Sequence, residues 1–246
     1  MLAVVGSRNY TDYGKRAAEY LIAGLRGYPI SIVSGLALGI DAIAHTAALS
    51  ANLHTISVPG SGIDDSVIYP HRNRELARRI LESGGCLLSE FEPTFQATEW
   101  SFPKRNRIMA GLSHATLLIE AGERSGTLIT ARLTVEFNRD LLVVPGNIFS
   151  ENSRGVHQFL RLGAMPVTTP DDILEALGIE KSSEYAENPV VTEEEGLILS
   201  ILTEPMDHDS IIRQLPFQRE KVLTLLMKME LGGCIKESNG LIYKIR

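Results

Sequence analysis

Across residues 1–170, short apolar runs alternate with longer stretches of helical period. LAVV, SIVS, HTISV, CLLS, ATLLIE and LLVV are rich in Leu, Ile and Val and bounded by Gly, Ser, Pro or charged residues. Runs of this length and composition read as strands buried on both faces. Residues 12–26, 40–51, 71–83, 104–112, 127–138 and 153–162 carry the spacing of helices with one apolar face. Strand and helix in regular alternation require crossover connections, and these give a parallel sheet covered by helices on both sides. The fold class expected is α/β, a Rossmann-like, doubly wound, mostly parallel sheet.

The pattern changes near Leu177. Residues 178–191, GIEKSSEYAENPVV, show no hydrophobic period, carry mostly acidic charge and contain a proline, which reads as a linker. EEEGLILSIL and HDSIIRQL then read as helices, and Gln218 is placed to cap a third, REKVLTLLMKMELGG. In this last helix Val222, Leu225, Leu226 and Met229 fall on one face, with Gly232 and Gly233 as its stop. CIKES, the turn signal Asn239-Gly240 and LIYKI make a hairpin. Three helices and a hairpin in this order predict a small winged helix. The expected organisation is a Rossmann-like domain at 1–177, a linker at 178–191 and a winged-helix domain at 192–246.

Composition narrows the class. The 246 residues are 44% hydrophobic and 22% charged, and no apolar run approaches the roughly 18–20 residues of a membrane span. The start, MLAVVG, has no basic segment and no cleavage site; a cytoplasmic location is expected. Cys86 and Cys234 lie in strand-like contexts far apart in sequence, so two buried, reduced thiols are expected. The net charge of −6 is unevenly placed. Residues 1–170 hold 16 basic against 15 acidic side chains, residues 171–192 hold 1 against 6, and residues 193–246 hold 7 against 9. Acidity concentrated in a connector leaves room for a cationic face on the large domain.

Ligands of open parallel sheets bind beyond the carboxyl ends of the strands. The loops leaving these strands are rich in Gly and Ser: GSRNY, SGLALGID, PGSGIDD, AGERSGT and PGN. Free backbone N–H groups and helix N-termini in such loops suit phosphate. Neither the dinucleotide fingerprint GxGxxG nor GxxxxGK[ST] occurs, so NAD and ATP have no motif support and no cofactor is expected. Arg8 lies in the first loop, and Lys104, Arg105 and Arg107 crowd the start of the helix expected at 104–112. Cations there oppose the helix dipole unless an anion neutralises them. The six histidines show no metal spacing and no GxSxG elbow is present, so neither catalytic nor metal residues are assigned. Asp41 and His45 share a helix face, a pairing more often structural than catalytic. Glu90, Glu92, Asp64 and Asp65 read as solvated acids of the loops.

GSR (6–8), SGLALGIDAIAH (34–45), YPHRN (69–73), SEF (89–91), FPKRNRIMAGLS (102–113), EAGERSGTLITA (120–131), VPGN (144–147) and GVHQFLRLGA (155–164) together resemble the DNA-processing protein A family. The resemblance runs in order through nearly all of residues 1–170. It implies a non-enzymatic protein that binds single-stranded DNA with little sequence preference and loads RecA onto incoming strands in natural transformation, acting as a dimer. Carried onto this sequence, the DNA-binding positions are Gly6, Ser7, Arg8, Ser34, Gly35, Gly39, Lys104, Arg105, Asn106, Arg107, Ser125 and Gly126, with Lys104 at a position the motif leaves variable. Trp100, Phe102 and Tyr10 are the aromatics near this groove, with Phe102 at least as well explained as core. The resemblance places self-association at Phe159 and Leu160. Members of that family commonly begin with an extra N-terminal helical module, whereas this sequence begins at the first strand.

Two other readings compete. AGERSGT is somewhat like the PGGxGT loop of nucleoside-phosphate phosphoribohydrolases of the lysine-decarboxylase-like group, but has Glu-Arg-Ser where that motif keeps glycines and lacks an early acid in the following helix. A nucleotide-sensing regulator would use the winged helix on duplex DNA. The expected recognition helix sets Arg219, Lys221 and Lys228 against Glu220 and Glu230, a weak electrostatic footprint for that role.

Overall fold

A computed structural model describes residues 1–180, 193–202, 204–231, 234–238 and 240–244. The chain divides into two compact units, Met1–Ala186 and Glu187–Arg246. Most of the linker expected at 178–191, the Gly232-Gly233 stop and Asn239 of the turn signal lie outside the described residues.

The first unit is built on a seven-stranded sheet: β1 (Leu2–Val5), β2 (Ser31–Ser34), β3 (His54–Ser57), β4 (Cys86–Leu87), β5 (Ala115–Leu118), β6 (Asp140–Val143) and β7 (Met165–Pro166). The strand order is β4-β3-β2-β1-β5-β6-β7 and every pairing is parallel. Alternate residues of each strand enter different cores, as the period of two demands. Leu2, Val4, Ile32, Leu117 and Leu142 pack on α1 (Asp12–Ala23), α2 (Ile40–Ser50) and α7 (Pro170–Ala176). Ala3, Val5, Val33, Leu118 and Val143 pack on α4 (Ser101–Leu112), α5 (Thr127–Glu136) and α6 (Glu151–Arg161). The sheet is therefore wound on both faces, as the alternating pattern predicts. Strand order reverses between β1 and β5, and the crevice beyond their carboxyl ends is where such sheets take ligands.

Some boundaries differ from expectation. The helix expected at 71–83 is a 3₁₀ turn, His71–Asn73, running into α3 (Arg74–Glu82). α4 begins at Ser101, three residues before the expected start, so Lys104 closes its first turn and Arg105 and Arg107 lie beyond it. The dipole weakens within that turn, and the conflict argued from an N-terminal position is correspondingly small. β7 and α7 were not expected. Cys86 is exposed on the edge strand β4 and Cys234 is half-buried, and both are free. Burial of these thiols is thus not what the structure has: an edge strand of two residues shields little.

The second unit contains α8 (Glu193–Ile201), α9 (His208–Gln214) and α10 (Arg219–Leu231), followed by the antiparallel pair β8 (Ile235–Ser238) and β9 (Leu241–Lys244), with Met206 bridging to Ile242. Ile198, Ile211, Val222, Leu226, Met229 and Ile242 share one core. Among the described residues no helix is long and apolar enough to cross a membrane.

Candidate nucleic-acid interface

The Gly/Ser loops after β1, β2 and β5 meet at the strand-order reversal. Ile40 N–H, at the start of α2, donates to Ser7 O (3.2 Å). Gly39, just before it, has φ +84°, and a Cβ there would stand 2.4 Å from Ser7 O and 2.7 Å from Arg8 Cα. Only glycine lets these two loops touch. From the other side Thr127 Oγ1 donates to Gly6 O (3.0 Å) and Ser125 Oγ donates to Thr127 Oγ1 (3.0 Å). Gly6, Ser7, Arg8, Gly39, Ser125 and Gly126 are thereby gathered into one place.

The hydroxyls in this group are mostly occupied. Ser34 Oγ is buried and donates to Val4 O (2.6 Å), and Ser7 Oγ donates to Asn9 O (2.9 Å). At these two positions the polar groups left to face a ligand belong to the backbone.

The basic cluster of α4 divides by helical phase. Residues spaced by four lie on one face, which sets Ser101, Arg105 and Met109 inward, all buried. Trp100, Lys104 and Arg107, at i, i+4 and i+7, form the opposite, exposed stripe. Arg105 is only 4% exposed. Its Nη1 donates to Gly35 O (2.6 Å) and its Nε to Asn106 Oδ1 (3.2 Å), while Gly35 N–H donates to Asp41 Oδ2 (3.1 Å). A side chain at Gly35 would meet the guanidinium at 2.6 Å. Gly35 therefore sits clasped between a buried cation and a buried anion. Burial pulls the Arg105 guanidinium down to about 10, opposed by Asp41; it remains charged at neutral pH. Burial pushes the Asp41 carboxyl up, opposed by Arg105, by the N–H groups of Ala37 and Gly35 and by Arg8. His45 is buried, bonded to Thr55 Oγ1 through Nδ1 (2.7 Å), and held near 3 chiefly by burial. Asp41 and His45 thus serve separate structural contacts, the commoner expectation for that spacing.

Outward, Arg107 Nη2 donates to Glu90 Oε2, and Lys104 Nζ lies 4.0 Å from Glu90 Oε1. Glu90 is thus no free solvated acid: one carboxylate faces both exposed cations of α4. Asp65 likewise pairs with Arg74 and Arg78. Arg8 is exposed with its guanidinium 5.5 Å from the Phe102 ring, and Phe102 in turn packs on Tyr69 (5.7 Å). Sequence reasoning did not single out Tyr69, Phe91, Phe95 or the pairing role of Glu90. The helical period around Met109 was the signal that separates Arg105 from Lys104 and Arg107. Glu120 accepts from Thr11 N–H (2.9 Å) and Thr11 Oγ1 (2.5 Å), where Thr11 caps α1.

Away from the crevice, Phe159 is buried in the α4–α6 core with Leu160 half-buried beside it. In the second unit the three cations of α10 are each matched: Arg219 with Asp209, Lys221 with Glu194 and Lys228 with Glu195. Among the described residues no group of three or more His, Cys, Asp or Glu side chains is placed to hold a metal.

The family model described as DNA recombination-mediator protein A matches residues 1–178. The chain belongs to that family. Smf from Escherichia coli is 36% identical over 255 residues, covering 100% of this chain and 68% of that protein. The solved DNA processing protein A from Streptococcus pneumoniae is 40% identical with a TM-score of 0.65, covering 74% of this chain and 62% of that one. The DNA processing protein A from Helicobacter pylori, described for its single-stranded DNA binding mode, is 32% identical with a TM-score of 0.64, covering 72% of this chain and 79% of its own. This chain thus spans roughly three fifths to four fifths of these relatives. Membership supplies the DNA-processing, recombination-mediator role at the level of the family.

Proposed function

We propose that this protein binds single-stranded DNA with little sequence preference, without catalysing a reaction, and delivers RecA to it as a dimer in the cytoplasm during natural transformation. The observation that carries the reading is the set of three exposed cations, Arg8, Lys104 and Arg107, around Gly-rich loops at the strand-order reversal. Backbone N–H groups and point cations hold phosphates whatever the bases, which gives affinity that falls with salt. The binding mode described for the H. pylori relative supports the reading. Arg105 and Asn106 act in it by shaping the Gly35 loop rather than by reaching the strand.

Residues 1–177 carry this activity in the proposal, joined through 178–191 to a winged-helix domain at 192–246. The paired cations of α10 favour protein contacts over duplex binding for that domain. Dimerisation through the Phe159–Leu160 region rests on Leu160 together with the exposed Leu162 and Met165, since Phe159 itself faces the core.

The test is fluorescence anisotropy with labelled oligo-dT and a duplex of equal length at several salt concentrations. Single-strand preference is expected, with log Kd changing by roughly 2 per decade of salt for three phosphate contacts at about 0.7 each. Arg8→Ala/Arg107→Ala is expected to remove most of that slope; wild-type binding by this variant overturns the site. Release of base from a nucleoside monophosphate is the result that favours the phosphoribohydrolase reading.

A further inference from the structure

The exposed stripe of α4 carries more than charge. Trp100 is 56% exposed, yet it is held on two sides. Its ring meets Phe91 at 5.8 Å and 78° and Phe95 at 5.7 Å and 62°, and those two phenyl rings stack on each other at 4.5 Å and 17°. Edge-to-face and offset stacking are the favoured aromatic geometries. The loop bearing Phe91 and Phe95 is itself pinned: Gly62 N–H donates to Phe95 O (2.8 Å) and Asp64 N–H to Pro93 O (2.9 Å). None of the three rings belongs to a hydrophobic core of the unit. An indole braced by two rings and still 56% exposed lies outside the hydrophobic cores that account for the other large side chains buried in this unit.

One turn along, Lys104 Nζ lies 5.7 Å from the Trp100 ring and 5.3 Å from that of Phe91, and Arg107 follows one turn further. A flat aromatic face beside two cations matches the repeat of a single strand, in which a base and a phosphate alternate. We infer that Trp100, braced by Phe91 and Phe95, is a stacking platform for one nucleobase of the strand whose phosphates Lys104 and Arg107 hold. The platform stands apart from Phe102: two residues along a helix rotate by about 200°, and Phe102 contacts Arg8 and Tyr69 instead. The inference rests on the single-strand-binding reading above and adds a base contact to its phosphate contacts. Stacking accepts any base, so sequence preference stays low.

Trp100 is the one tryptophan of the chain, so its emission reports this contact directly. Titration of the full chain with oligo-dT is expected to quench it to saturation. A strand of equal length with abasic sites throughout, carrying the same phosphates, is expected to bind more weakly and leave the emission nearly unchanged. By anisotropy, Trp100→Ala is expected to weaken oligo-dT binding roughly tenfold, to leave abasic-strand binding and the salt slope as in wild type, and Trp100→Phe to recover most of the loss. Oligo-dT binding that is unaltered in Trp100→Ala, or an equal loss toward the abasic strand, overturns the platform while leaving phosphate binding in place. Failure of the wild type to bind oligo-dT at all overturns both readings.

Discussion

Replacing Arg105 by alanine separates structure from binding within one basic cluster. The guanidinium is buried, donates to Gly35 O and is the main positive charge offsetting the burial of Asp41. Its removal leaves Asp41 as a buried carboxyl without its main counter-charge and leaves Gly35 O without this donor. Removing one member of a buried pair of opposite charges costs about 3–5 kcal/mol. For a domain of this size each kcal/mol moves the melting midpoint by roughly 2–4 °C, so a fall of roughly 6–20 °C is expected. Trp100 lies in the same unit, at the N-cap of the same helix, so thermal and urea melts followed by its emission report the first unit alone. Adding Asp41→Asn removes the stranded charge while keeping an acceptor for Gly35 N–H, and is expected to recover part of the loss. Arg107→Ala, on the exposed stripe, is expected to stay within about 0.5 kcal/mol of wild type. A midpoint for Arg105→Ala within about 2 °C of wild type, or a double variant no more stable than the single one, refutes the reasoning.

Glu90→Gln frees Lys104 and Arg107 from their carboxylate, and oligo-dT affinity is expected to rise by roughly 2–5-fold at low salt, the scale of an exposed ion pair; anisotropy against wild type checks it. His45, held near 3 in the fold against an ordinary value of 6.5, binds fewer protons folded than unfolded, so its contribution to stability is complete above about pH 6.5 and declines as pH falls toward 3. Urea melts are expected to change little between pH 7.5 and 6.5 on account of this group and then to show a loss approaching about 1.4 kcal/mol per pH unit down to pH 4.5, reduced in His45→Gln. Gly39→Ala is expected to cost about 1–3 kcal/mol or more, because φ +84° with ψ −132° is closed to other residues and the new Cβ meets Ser7 O; melts and the loss of oligo-dT affinity are both read.

Most of the strands were legible because each holds or extends a short apolar run that enters the cores on both faces of the sheet. Met165-Pro166 is too short and too proline-bound to read that way. The helix after it was nonetheless signalled: Thr169 caps it, Pro170 opens it and Asp172 bonds back to the Thr169 N–H (2.9 Å), a capping box with proline at the first helical position. The motif positions of the crevice were legible as residue types but not as roles. Whether an arginine beside glycines reaches out for an anion or in for a carbonyl depends on helix phase and on what stands opposite. Here what stands opposite is Asp41, six residues beyond the Gly35 it clasps and 64 before the Arg105 that balances it. Glu90 and the Phe91–Phe95 pair were missed for a like reason, since they come from a loop whose approach to α4 is set by backbone bonds to residues 62–64.

The two faces of α4 explain how an acidic chain can keep a cationic site ready. Cations that only bound DNA would repel one another when the strand was absent, and three within about one turn, Lys104, Arg105 and Arg107, would be costly to hold together. Each cation instead has a resting partner: Gly35 O and Asp41 for Arg105, Glu90 for Arg107 and Lys104, the Phe102 ring for Arg8. These partners differ in how easily a phosphate displaces them. Asp41 and Gly35 O are buried and cannot leave without unfolding the loop, so Arg105 is committed to shape. Glu90 lies at the surface, where an ion pair contributes little in water, so a strand bound as proposed, with a phosphate every nucleotide, would outcompete it at low salt. In the proposed binding mode the helix thus separates a permanent charge pair, which sets the loop geometry, from an exchangeable one that a bound strand would release.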